Sequence, residues 1–293
     1  MRMSEPLMYA QSEASLSAAW ARAFLKMYEP PERELCPFLV SIGAGADGSP
    51  VEDLDLRNAL DACLEESGKQ IVDKVAKSIF PHPLWRRAKG DRHKLFADYL
   101  QNLPDYVAME ASKNSHGLYF ARLIGYGTNH KTGEPEAYLD GKLKQGGNQL
   151  EYCINACKPK AQRMALQASI YDPVRDQTEA RRPFPCLQHI AFVPDFARGT
   201  LTLNAFYALQ LLFVKGYGNW LGLFRLGAFV ASQTKPQLRL ERLCCYAGVQ
   251  KMTADSRPKS GDLLDRLTRI ARKCAGEREG QAIVAEATAC PAG

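Results

Sequence analysis

Two runs of alternating apolar and polar residues, Cys186 to Val193 and Thr200 to Gln210, flank the turn-forming stretch PDFARG. Alternation with a period of two fits a pleated strand with one buried face, so this stretch predicts an antiparallel hairpin. The residues after it, Gly216 to Ser232, carry Trp220, Leu221, Leu223, Phe224, Gly227 and Ala228 and predict an apolar helix, with Gly216 and Gly218 allowing a sharp bend into it. QLRLERLCCYAGVQ reads as a further strand, and ALQASIYDP as an earlier one with Leu166, Ala168 and Ile170 on one face. Strands joined by hairpins, with helices laid on one side, imply an α+β fold with a large, mostly antiparallel sheet. Such a sheet has a second apolar face to cover.

The rest of the chain supplies those helices. Ser15 or Ser17 caps a helix through about Met27, with Trp20, Phe24 and Tyr28 at helical spacing, and Pro30 and Pro31 end it. CPFLVSIGA reads as a strand and GADGSP as a turn. Leu54 to Ser67 reads as an amphipathic helix with Leu56, Leu60, Cys63 and Leu64 inward. IVDKVAKSIFPHPLWRR reads as a connection into a loop near a pocket, and Leu95 to Leu103 as another helix. Asn148 and Gln149 open a helix to about Ala156, and Asp262 to Lys273 form a last one. Thr128 to Gly147, rich in Gly and Lys, reads as an exposed loop, and the sequence after Lys273 as a loosely held tail. No repeat or low-complexity linker divides the chain, so 1–293 reads as one domain: 1–115 an N-terminal part, 116–252 the core, and 253–293 a C-terminal helix and tail.

An apolar content of 46% over 293 residues is enough for a sizeable core. The formal charge of +6 is modest and has no basic block; it suits an anionic small molecule and does not exclude nucleic acid. The N-terminal sequence lacks the charged-then-apolar order of a signal peptide, and Arg225 breaks the longest apolar run, so a cytoplasmic protein without a membrane span is expected. Nine cysteines without framework spacing fit reduced thiols. Cys153 and Cys157 share a helical face with Leu150 and Ile154, which favours core packing, since no nearby His pair completes a tetrahedral metal site.

Cys186 is the candidate nucleophile. Pro183 and Pro185 hold the chain extended before it, placing it at the first rung of a strand, and Arg181 and Arg182 supply positive charge that favours a thiolate. Its structural alternative is a buried thiol. His189, three positions on, falls on the opposite face of a regular strand. His116, beside Gly117, is the better proton carrier, and Glu110 and Asp172 are further acids whose alternative is surface polarity.

An ordered set of segments, HGLYFARLIGYG, NQLEYCINACKPKAQRMALQASIYDPVRD, PCLQH and GNWLGL, resembles the thymidylate synthase family over somewhat under half of the chain. In that family a Gly-x-x-Tyr segment precedes a Gln-Leu helix, an arginine pair, a Pro-Cys and an asparagine on a helix; here Gly117-Leu118-Tyr119, one residue shorter, stands first and the rest fall in that order. The resemblance implies that Cys186 adds to C6 of a pyrimidine ring, that Asn219 holds the ring edge through its amide, and that Tyr119 hydrogen-bonds in the pocket. Taken alone, Asn219 also reads as a helix N-cap, and Tyr119 as a core aromatic. The resemblance further implies a pyrimidine nucleotide or nucleoside substrate, methylenetetrahydrofolate as one-carbon donor, and a homodimer packed through the second sheet face, each subunit lending arginines to the other. The family's phosphate-binding Arg-Ser-x-Asp reads Ala208, Leu209, Gln210, Leu211, its arginine pair reads Gln162 and Arg163, and its ribose-binding His-x-Tyr has no equivalent in LERLCCYAGVQKM. Arg163, Gln210, Arg182 and His116 are therefore the candidate substrate contacts, with Lys215 a further cation for a rearranged anion site. Two readings follow: a transferase of altered specificity, or a non-catalytic relative that binds a nucleotide or a protein partner.

Overall fold

The computed structural model describes residues 9–28, 34–109, 117–127, 147–160, 162–176, 185–252 and 261–276. The chain begins with β1 (Tyr9–Glu13), α1 (Leu16–Tyr28), β2 (Glu34–Leu35) and β3 (Phe38–Gly43). A helical stretch follows: α2 (Leu54–Glu66), α3 (Val72–Ile79), α4 (His82–Arg87), α5 (Arg92–Gln101), α6 (Leu103–Met109), α7 (Tyr119–Ile124) and α8 (Gln149–Ala156). Then come β4 (Gln167–Ser169), α9 (Pro173–Asp176), β5 (Leu187–Asp195), β6 (Thr200–Leu211), α10 (Tyr217–Gln233), β7 (Arg239–Lys251) and α11 (Asp262–Cys274).

The expected hairpin forms. β5 and β6 pair antiparallel from Asp195 opposite Thr200 to Leu187 opposite Tyr207, around a turn in which Gly199 takes φ 64°. The seven-stranded sheet runs β1-β3-β7-β6-β5-β4, with β2 pairing β7 beside β3. It is mixed: β1 with β3 and β6 with β7 are parallel. Four of the six pairings are antiparallel, as expected, and the parallel β6–β7 pair, which the sequence reading did not foresee, follows from α10, which carries the chain from the end of β6 back to the start of β7. A crossover helix of that length brings the next strand in parallel, where a tight turn would make it antiparallel.

One face of the sheet is buried and bears Phe38, Ile42, Leu203, Tyr207, Leu243 and Ala247. Trp220 of α10 stacks on Phe38 with ring centroids 6.1 Å apart, and Trp20 of α1 stacks on Phe24 at 4.9 Å. Each fully buried large side chain of this kind contributes on the order of 2–3 kcal/mol, so the α10–sheet contact is a main source of stability. The opposite face carries a row of part-exposed apolar side chains, Leu39, Tyr246 and Phe206, paired through the register Leu39–Tyr246 and Phe206–Tyr246.

The stretch read as a connection, IVDKVAKSIFPHPLWRR, is instead two short helices, α3 and α4. Val72, Val75, Ala76 and Ile79 form the buried stripe of α3, and α10 lies directly on it. The approach is closest at two glycines: a Cβ on Gly218 would sit 2.8 Å from the Val72 carbonyl oxygen, and one on Gly222 would sit 2.7 Å from that of Ala76. Gly218 is therefore required by packing and not by a bend, because the backbone runs helically through Leu212–Gly216 in a π-helical turn and on into α10.

Other sequence expectations hold. Asn148 caps α8 by accepting from the Glu151 N–H at 2.9 Å, and Asp53 caps α2 by accepting from Leu56 at 2.9 Å. Cys153 and Cys157 are buried thiols, and none of the eight cysteines among the described residues is in a disulfide. Among the described residues no helix is long and apolar enough to cross a membrane. The expected exposed loop and tail lie outside the described residues except at their edges.

Candidate active site around Cys186

Cys186 stands immediately before β5, and its carbonyl accepts from the Ala208 N–H of β6 at 3.2 Å, so the sheet fixes its backbone. The side chain is partly buried against the core. Burial pushes its thiol above the ordinary value, while a hydrogen bond from Tyr119 and the positive charge of Lys215 pull it back.

Tyr119 opens α7. A buried ion pair fixes that helix: Arg122, 1% exposed, donates two hydrogen bonds to Asp176 at 2.6 and 2.8 Å and a third to the Ile170 carbonyl at 2.8 Å. Breaking such a pair costs about 3–5 kcal/mol, so α7 holds Tyr119 firmly beside the start of β5. Burial drives the Tyr119 phenol well up, so it stays protonated and serves as a hydrogen-bond donor to the sulfur. Asp172, read as a possible surface acid, is buried at the start of this same motif.

A second tyrosine, which sequence reasoning missed, pairs across the hairpin with Leu187, the residue after Cys186. Tyr207 on β6 is fully buried, and its hydroxyl has no hydrogen-bond partner among the described residues. Burial pushes its phenol far up, and the neighbouring Cys245, Tyr119 and Cys186 add to the effect. A buried hydroxyl without a partner costs about 1–3 kcal/mol, an arrangement that a ligand's polar group would relieve. Only its place on the buried face of β6 was legible in sequence, as part of the alternating run.

Lys215 lies in the π-helical turn, where its Nζ donates to Gln70 Oε1 at 2.7 Å. Asn219 follows four residues later on the same continuous helical run, so the two share a face about 6 Å apart along the axis. Asn219 is only 5% exposed, and no described residue hydrogen-bonds its side chain. It is the third residue of α10, inside the helix, which removes the N-cap reading.

The remaining predicted residues are less closely gathered. Gln210 is buried beside Gln250 on β7, whose Nε2 donates to the Gln210 carbonyl at 3.3 Å; neither polar atom of the Gln210 side chain has a partner among the described residues. Arg163 lies beyond the far end of β5, lining a cavity of about 360 Å³ with Lys160 and residues 194–197. Nine strand residues, roughly 30 Å, separate that end from Cys186, so one chain does not bring them together. Arg182, Arg181, His116 and Glu110 lie outside the described residues. His189 is half-buried, and burial lowers its imidazole below the ordinary value; a bulge between Leu187 and His189 interrupts the regular alternation by which it was assigned to the opposite face.

No protein-family model matches this chain, and no curated protein matches it in sequence.

Proposed function

We propose that this chain is a divergent thymidylate-synthase-like transferase that acts at C5 of a pyrimidine nucleotide or nucleoside through a Cys186 adduct at C6. The observation that supports this reading is the partly buried Cys186 with the Tyr119 hydroxyl hydrogen-bonded to its sulfur, next to a buried Tyr207 that pairs with Leu187 and whose hydroxyl has no partner among the described residues; the buried Asn219 of α10 is the amide the resemblance assigns. As the sulfur bonds to C6, the ring double bond opens and its electrons delocalise onto the C4 oxygen as an enolate, which makes C5 nucleophilic. The Asn219 amide supplies a donor and an acceptor for the ring edge. Once C5 has bonded a carbon electrophile whose leaving group departs with the electron pair, loss of the C5 proton and expulsion of the sulfur restore the C5–C6 double bond and free Cys186. Methylenetetrahydrofolate, the donor in the family the sequence resembles, supplies the one-carbon unit under this reading; the residues gathered at Cys186 do not by themselves define a folate site, and no step is assigned through it.

A homodimer is part of the proposal. The row Leu39, Tyr246 and Phe206 gives an apolar face for a second copy, which would bring Arg163 of the partner within the reach that a single chain denies it. Free thiols throughout the described residues fit a reducing, cytoplasmic setting. The second reading, a non-catalytic relative that binds a nucleotide or a partner protein, is favoured by one feature: β6 carries Ala208, Leu209 and the sealed Gln210 where the family's phosphate contacts would stand. Intact mass after incubation with 5-fluoropyrimidine nucleosides, monophosphates and triphosphates, with and without methylenetetrahydrofolate, separates the two. The enzyme reading requires an adduct that disappears in Cys186→Ser. An unchanged mass under every condition, with nucleotide still bound, assigns the chain to the second reading.

A further inference from the structure

The hairpin turn at the far end of β5 borders a cavity that the chemistry at Cys186 does not use. It measures about 360 Å³ and is lined by Lys160, Arg163, Pro194, Asp195, Phe196 and Ala197. We propose that this cavity is a second ligand site, complete within one chain, for a phosphomonoester with a flat apolar body. Lys160 and Arg163 take the phosphate, and Pro194 and Phe196 take the body. The proposal goes beyond the reading above, because the length of β5, roughly 30 Å, separates this cavity from Cys186.

The turn that carries Arg163 is fixed against the sheet. The Arg163 carbonyl accepts from the Leu166 N–H at 3.1 Å, and the Leu166 carbonyl accepts from the Phe192 N–H of β5 at 2.8 Å. Gln167 Nε2 donates to the Met164 carbonyl at 2.9 Å. These bonds hold the turn beside the strand that leads into the hairpin, so residues far apart in sequence line one space. Charge then selects the ligand. Among the described residues neither the Lys160 ammonium nor the Arg163 guanidinium has a partner, whereas the one acid of the lining is already engaged. The Asp195 carboxylate accepts from the Arg198 backbone N–H at 3.0 Å and from Arg198 Nε at 2.7 Å. Two uncompensated cations suit a dianion, with the guanidinium as a forked donor and the ammonium as a point charge. Pro194 is buried and Phe196 packs on the core, so both present a fixed apolar surface to a flat group. The cavity volume falls within the range that holds small organic ligands.

The test is chemical footprinting of each cation: acetylation of Lys160 and phenylglyoxal modification of Arg163, followed on their peptides by mass spectrometry. The probes are phenyl phosphate, uridine 5′-monophosphate and glucose 6-phosphate, with inorganic phosphate and uridine for comparison. Phenyl phosphate and uridine monophosphate should protect both residues at concentrations about tenfold below those inorganic phosphate requires, and uridine should not protect. Arg163→Gln should weaken protection of Lys160 about tenfold or more, since a hydrogen bond between charged groups is lost. Lys160 has φ 73°, a left-handed backbone that suits glycine, so Lys160→Gly should fold at least as stably as the parent while weakening protection of Arg163. Protection should persist in the double variant Phe206→Asp with Tyr246→Lys, because both cations and the hairpin belong to one chain. Absence of protection in the parent overturns the proposal, as does protection undiminished by Arg163→Gln and Lys160→Gly. Loss of protection in the double variant overturns it in favour of a site shared between two copies. Equal protection by inorganic phosphate and phenyl phosphate, or by glucose 6-phosphate and uridine monophosphate, overturns the flat apolar body. No adduct at Cys186 is involved, so a failed fluoropyrimidine experiment leaves this result standing, and an intact adduct beside unprotected Lys160 removes only the second site.

Discussion

Replacing Gly218 by alanine tests whether the contact between α10 and α3 sets the position of the site. The new Cβ would lie 2.6 Å from Val75 Cβ, 2.8 Å from Val75 Cγ1 and 2.8 Å from the Val72 carbonyl oxygen. Carbon atoms in good contact stand about 3.5–4.0 Å apart, so the overlap is close to 1 Å. A backbone oxygen and a β-carbon cannot rotate away, so the helices must separate. Overpacking of this kind costs about 1–3 kcal/mol, against a gain of about 1 kcal/mol from replacing a helical glycine by alanine. With two of the three contacts immovable, a net loss of about 2 kcal/mol is expected at Gly218. Gly216→Ala provides the contrast two residues earlier, since its Cβ would meet mainly a Leu212 methyl at 3.1 Å, which can turn aside. That variant should be neutral or more stable by up to about 1 kcal/mol. Urea unfolding followed by circular dichroism measures both. Equal stability of the two variants would refute the close-packing argument, and with it the role of α3 in holding α10.

Two other outcomes are expected. Phe206→Asp with Tyr246→Lys places opposite charges on the part-exposed face and should convert a dimer to a monomer in sedimentation velocity; a parent that already sediments as a monomer at high micromolar concentration removes the proposed interface. Burial acts to raise the Asp73 carboxyl, but hydrogen bonds and charges from Lys77 and Arg225 outweigh it and hold the group at about 2. A carboxyl whose folded value lies below its unfolded value, about 3.9, stabilises the fold above that pH and loses the contribution as pH falls toward 2. Asp73→Asn should therefore lower the melting temperature at neutral pH, with the gap narrowing below about pH 4; a gap that widens on acidification contradicts the ion-pair account.

Much of the architecture was written in local pattern. The alternation in Thr200 to Gln210 demanded a strand, PDFARG demanded its turn, and Leu56, Leu60, Cys63 and Leu64 marked the inner face of α2, because period and burial are properties of neighbouring residues. Where the reading failed, distance along the chain was the reason. Pro81 and Pro83 disguised α3 and α4 as a loop, although a proline is well tolerated in the first turn of a helix. Neither parallel pair of strands has a local signature.

The chain by itself determined that Cys186 would stand at the head of a strand, that Asn219 would lie on an apolar helix, and that a hairpin would join the two regions. Only the tertiary structure decided what stands near the sulfur: Tyr119, 67 positions before it, hydrogen-bonds it, Tyr207 of β6 pairs with the next residue, Leu187, and Arg163 is carried beyond the far end of β5. Charge acts through space, so the residues nearest a thiol in sequence need not be the ones that set its chemistry.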